Sequence, residues 1–98
     1  MNVLRIGMSI SEKKIEVPVE SIRSVKTTDS RLQVFLDDGR EISLPLKWYP
    51  RLKRATAKQR EKYRLIGGRT GIHWPEIDED LDVEGILGGY PSPDYLKS

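Results

Sequence analysis

The sequence predicts an α+β domain: a small antiparallel sheet with two or three short helices packed on it. Three stretches carry that expectation. In residues 31–36, Leu32, Val34 and Leu36 alternate with Arg31, Gln33 and Phe35, the period of two that gives a strand one buried face. Pro50 follows Tyr49 where a helix can open, and Thr56-Ala57-Lys58-Gln59 matches a capping box, in which a hydroxyl and an amide side chain satisfy the free backbone N–H groups of a helix start. Asp82 precedes Val83, with Glu84 in the first turn and Gly88-Gly89 at the far end, the start and stop signals of a short helix.

Taken in order, residues 1–20 are poorly patterned: Val3, Ile6, Ile10, Ile15 and Val17 are spaced without a sustained period, which allows an edge strand or two, and Pro18 suits an edge. Residues 21–28 are β-rich and Asp29-Ser30 fits a tight turn. The next turn can be read at the level of register. A two-residue loop at Asp38-Gly39 would set Phe35 opposite Ile42 and Gln33 opposite Leu44, mixing the faces. A three-residue loop of Asp37, Asp38 and Gly39 pairs Leu36 with Arg40, Val34 with Ile42 and Leu32 with Leu44, so the apolar set stays on one side and Gly39 supplies positive φ. Pro45 ends that strand, residues 46–49 make one turn, and two helical pieces follow, the second over 57–63. Trp48, Tyr49, Leu52, Ala55 and Tyr63 are their expected contribution to the core, with Arg51, Lys53, Arg54, Lys58, Arg60, Lys62 and Arg64 displayed opposite. Leu65-Ile66 and Ile72-His73-Trp74 flank a glycine-rich hairpin loop. Pro75 then opens an acidic loop, and residues 90–98 read as an extended tail after a single domain over 21–89.

Composition limits the function. The 98 residues make one domain with one core. Apolar residues are 37% and charged residues 33% of the chain, enough to fold without disulfides. The absence of cysteine excludes disulfide frameworks, thiolate metal sites and cysteine nucleophiles, and points to the cytoplasm. No apolar run approaches the ~18 residues of a membrane span, and none forms a signal peptide, so no membrane role is expected. The net charge of +2 hides an asymmetry: residues 51–75 carry 8 basic side chains and 1 acidic, residues 76–98 carry 1 and 7. Either the two segments neutralise each other in the fold or they face partners.

The residues that invite chemistry each have a plainer reading. His73, the one histidine, lies between Ile72 and Trp74, so alternation turns it away from the core side; general acid–base work would need a carboxylate such as Glu76 or Asp78 and a pocket. Asp78, Asp80 and Asp82 have the opening spacing of a calcium loop, but Val83 stands where the sharp turn needs Gly and Gly89 where the bidentate Glu belongs. Gly67-Gly68-Arg69-Thr70-Gly71 lacks the Lys-Ser/Thr ending and following helix of a phosphate loop. No catalytic, metal or cofactor residues are assigned, and no enzyme activity is expected.

Pro45-Leu46-Lys47-Trp48-Tyr49-Pro50-Arg51-Leu52, Ala55-Thr56, Gln59-Arg60, and Gly71-Ile72-His73-Trp74-Pro75 through Asp78-Glu79-Asp80 resemble the bacterial family called domain of unknown function 2442, with His73 to Leu87 the most specific block. The resemblance runs from about Ile22 to Gly89. It implies an antiparallel sheet with helices on one side, and a gene setting like that of toxin–antitoxin pairs. It brings no catalytic residues. The expectation is therefore a macromolecule-binding module with a small protein partner, in an antitoxin-like or accessory role. Trp48, Tyr49 and Tyr63 are its candidate anchors, Arg51, Arg54 and Lys58 its basic contacts, and Asp78, Glu79 and Asp80 its acidic ones. The alternative is nucleic-acid binding through a basic helix over 51–64, with the cations on phosphates and the aromatics stacking. Edge strands also leave room for a homodimer.

Overall fold

A computed structural model describes residues 20–97. The expectation of an edge strand over 1–20 falls outside those residues, Glu20 excepted. The element order is β1 (Ile22–Thr27), β2 (Arg31–Leu36), β3 (Glu41–Pro45), a 3-10 turn (Leu46–Trp48), α1 (Pro50–Arg54), α2 (Ala57–Glu61), β4 (Arg64–Ile66), β5 (Gly71–Trp74), β6 (Glu79–Asp82), α3 (Val83–Gly88) and α4 (Pro93–Leu96). The fold is α+β, as expected. Its strands form two antiparallel sheets, ordered β1-β2-β3 and β4-β5-β6, rather than one.

The first sheet follows the alternation. Leu32, Val34 and Leu36 have no exposed surface, and β2 pairs with β3 in the register of the three-residue loop, Leu32 opposite Leu44 and Val34 opposite Ile42. Leu36 N donates to Arg40 O at 2.9 Å, and Gly39 holds φ at 95°, a conformation a β-branched side chain resists. On the other flank Val25 opposes Val34, with a bulge between Ile22 and Ser24.

Between the sheets the chain turns through proline. Pro45, lacking an N–H, is the last residue of β3, and Pro50 occupies the first turn of α1, where its missing donor costs nothing. Both halves of the capping box form: Thr56 Oγ1 accepts from Gln59 N at 3.1 Å, and Gln59 Oε1 accepts from Thr56 N at 3.0 Å. The second sheet is shorter. Leu65 opposes Ile72 across β4–β5, and His73 opposes Asp80 across β5–β6. The acidic stretch is thus not all loop: residues 75–78 turn the chain, Asp78 adopting φ 55°, and 79–82 pair back as a strand. The tail is not extended either. Ser92 caps a one-turn helix by accepting from Asp94 N at 3.0 Å, with Pro93 in its first turn.

One core joins the two sheets, built from Ile22, Leu32, Val34, Leu36, Leu44 and Leu46 on one side and Tyr49, Leu52, Ile72, Trp74, Val83 and Ile86 on the other. Ile22 N donates to Arg69 O at 2.7 Å and Val83 N to Thr70 O at 2.8 Å, so the glycine-rich loop ties β1 to the second sheet. Among the described residues no helix is long and apolar enough to cross a membrane.

Candidate functional site

The basic stretch 51–64 does not form one helix with one charged face. Ala55 and Thr56 break it with extended backbone, so its cations are distributed over α1, α2 and β4. Their fates differ. Arg60 is buried, with 9% of its surface exposed, contrary to the displayed position expected for it. Its Nε donates to Leu52 O at 2.9 Å, and its terminal nitrogens reach Lys53 O at 3.4 Å and Thr28 O at 3.5 Å. The guanidinium thus closes the carbonyl end of α1, where the helix dipole favours positive charge. Trp74 Nε1 in turn donates to Arg60 O at 3.0 Å.

Arg51 binds two acidic elements. Its Nε lies 3.1 Å from Asp94 Oδ2, and its Nη1 donates to Asp78 O at 2.5 Å with Asp78 Oδ2 at 3.8 Å. Lys62 pairs with Glu76 at 3.0 Å and Lys53 donates to Asp29 O at 2.8 Å. Arg54, Lys58 and Arg64 are exposed and have no polar partner among the described residues. Arg51 and Arg54 border a shallow basin of about 330 Å³, completed by Ala55, Gln59 and Ile77. Ala55 is buried there and Ile77 half-buried against the core.

The candidate aromatics separate just as clearly. Tyr49 is 1% exposed and offers no surface to a partner. Tyr63 is half-buried; its hydroxyl accepts from Val25 N at 3.1 Å and its ring lies 6.4 Å from that of Trp74. It lines a cleft of about 250 Å³ between the edge of β1 and α2. Trp48 is half-buried and packs on Tyr95, centroids 6.4 Å apart. Among the described residues, the large apolar side chains left in solvent are Ile66, Tyr90 and Leu96, none of which was an expected partner anchor.

The acidic residues are also divided among partners. Asp78 is on Arg51, Asp80 is bound to His73 Nδ1 through its carboxylate, and Asp82 caps α3 by accepting from Gly85 N at 2.7 Å. His73 therefore takes its carboxylate from the strand opposite, not from Glu76 or Asp78. Glu79 is buried: Oε1 accepts from Asp80 N at 3.1 Å, while Oε2 has no hydrogen-bond partner. Burial pushes its pKa above the ordinary carboxylate value, against the lowering influence of the Asp80 N–H and Arg51. The Tyr49 hydroxyl, also buried without a partner, is pushed up to about 12 by burial and by the neighbouring Glu79 charge. Among the described residues, no group of three or more His, Asp or Glu side chains is arranged to hold a metal ion.

The fold thus gathers Tyr49, Arg51, Asp78 and Glu79 at one junction and leaves Arg54 beside it, while Lys58 stays exposed on α2. Asp94 completes the junction. Sequence reasoning missed it, although Ser92-Pro93-Asp94 carries the signals of a helix start: a capping hydroxyl, proline in the first turn and an early acid.

A family model described as a protein of unknown function, DUF2442, matches residues 22–92. No curated protein matches the chain. Among solved structures, the crystal structure of a protein of unknown function from Rhodospirillum rubrum is similar, with a TM-score of 0.67 and 21% identity over 81% of this chain and 98% of that one. A likeness at that identity concerns the fold alone.

Proposed function

The chain belongs to the DUF2442 family of proteins of unknown function, and from that premise we propose that it is a protein-binding module, in an antitoxin-like or accessory role, that receives an acidic segment of a small partner protein at the α1–α2 surface. What supports this reading is the state of the basic stretch. Arg60 is buried, and Arg51, Lys53 and Lys62 already have partners within the chain, so a row of phosphate contacts would have to compete with those pairings. Arg54 and Lys58 stay exposed, and Arg54 stands at the rim of the basin with the apolar surface of Ala55 and Ile77. Positive charge beside a small apolar floor suits a carboxylate flanked by an apolar side chain, with the charges steering encounter and the floor adding burial. The exposed Tyr90 and Leu96 add apolar surface elsewhere on the chain.

The test is affinity capture from native host cells by the wild-type chain and by an Arg54→Glu/Lys58→Glu variant, each with and without nuclease. A stoichiometric small protein that survives nuclease and is lost with the variant is the expected result. Nucleic acid as the sole retained species, or a protein partner lost on nuclease treatment, moves the function to nucleic-acid binding. Equal retention by the variant removes the α1–α2 surface from the account.

A further inference from the structure

We propose that Glu79 and Arg51 form a charge-operated latch for the C-terminal segment: ionisation of Glu79 draws Arg51 away from Asp94 and releases α4 from the body of the domain. The proposal does not depend on the partner reading above.

The geometry has three parts. First, α4 and its cap meet the body of the domain at Trp48 and Arg51. Ser92 N donates to Trp48 O at 3.1 Å, the Tyr95 ring rests on Trp48, and Asp94 Oδ2 lies 3.1 Å from Arg51 Nε. Second, Arg51 is the shared cation of that junction, serving Asp94 from α4 and Asp78 from the turn before β6 at once. Third, Glu79 is buried beside it with an oxygen left without a donor, a state that an uncharged carboxyl tolerates and a carboxylate does not. The groups that face Glu79 come from every neighbouring element: Arg51 of α1, Asp94 of α4, Asp80 of β6, and the Tyr49 hydroxyl just ahead of α1. Arg51 is the single cation among them.

The consequence has a definite sign. With Glu79 protonated, Arg51 is free to hold Asp94 and α4 stays docked. Once Glu79 loses its proton, a third carboxylate competes for Arg51, and it also repels Asp94 and Asp80. The Glu79 pKa is raised chiefly by burial and in part by the Asp94 charge, and it is through Asp94 that ionisation of Glu79 and docking of α4 oppose each other. The contribution of Glu79 to docking is therefore present below its unperturbed value and is lost as pH rises through the elevated one. Release uncovers the face of Trp48 now met by the tilted Tyr95 ring.

The test follows backbone 15N heteronuclear NOEs of Asp94, Tyr95 and Leu96, together with the Glu79 side-chain carboxyl 13C shift, from pH 4 to pH 9. The expected result is a loss of NOE in α4 whose midpoint coincides with the Glu79 titration, while Val34 in β2 stays rigid throughout. In Glu79→Gln the α4 signals should hold at every pH. An α4 that is pH-independent, a midpoint that departs from that of Glu79, or an unchanged transition in Glu79→Gln overturns the latch. If Glu79→Gln does not fold, coincidence of the two wild-type midpoints decides alone.

Discussion

The basic stretch 51–64 and the acidic stretch 76–94 each bury one charged residue, and they satisfy it in opposite ways. Arg60 enters the interior against backbone carbonyls from the end of α1 and the β1–β2 turn, sharing Leu52 O with the Ala55 N–H and also reaching Lys53 O and Thr28 O. Glu79 enters with an N–H for one oxygen and nothing for the other. The difference teaches where a small domain can hide a charge cheaply. A helix C-terminus offers several unpaired acceptors to a cation, whereas the start of a short edge strand has few donors to give an anion.

The comparison can be broken or sharpened in order of effect. Trp74→Ala removes the fully buried indole that anchors Arg60 O, and should cost about 3–5 kcal/mol in chemical denaturation. A loss below about 1 kcal/mol would mean that the second sheet contributes little to the common core. Arg60→Met keeps volume but takes the guanidinium donor from Leu52 O, Lys53 O and Thr28 O, and a loss of about 2 kcal/mol is expected; an unchanged midpoint would show that water and the Ala55 N–H serve those carbonyls as well as the guanidinium does. Thr56→Ala deletes half of the capping box and should cost about 1 kcal/mol, read from the same curves.

The smallest effect is one of pH. Because the folded pKa of Glu79 is raised from 4.5, its contribution to stability is fully present below the unfolded value and is lost as pH rises through the folded one. Wild-type stability should therefore contain a component that falls with pH just above the ordinary carboxylate range, and Glu79→Gln should lack it. Identical pH profiles for the two proteins would contradict the buried state of Glu79.

What was legible in the sequence was local. The Asp37-Asp38-Gly39 loop fixed its own register because only one pairing keeps Leu32, Val34 and Leu36 together on a face, and the capping box and Asp82 cap were read from their own side chains. The second sheet was harder to see. Its outer strands span three and four residues, Arg64–Ile66 and Glu79–Asp82, too short for a period to show. In β6 the charges of Asp80 and Asp82 hide the strand further. The burial of Arg60 is a tertiary event: nothing in 57–61 separates it from Lys58, and the carbonyls that receive it come from α1 and the β1–β2 turn. The charge asymmetry was visible from the start, yet which charges stay available depended on pairings such as Arg51 with Asp94, separated by 43 positions.

Arg54 and Arg60 therefore provide the most direct test of the central claim, that the basic end of this domain serves an acidic protein segment rather than nucleic acid. Arginine Nε–Hε resonances would be followed while the chain is titrated with a short acidic peptide of alternating Glu and Leu and, separately, with a single-stranded RNA 20-mer at low and high salt. The account predicts a saturable shift of Arg54 with the peptide, a fixed Arg60, and no matching response to RNA. An unmoved Arg54, or an Arg54 that answers only to RNA and loses the response as salt rises, would contradict it.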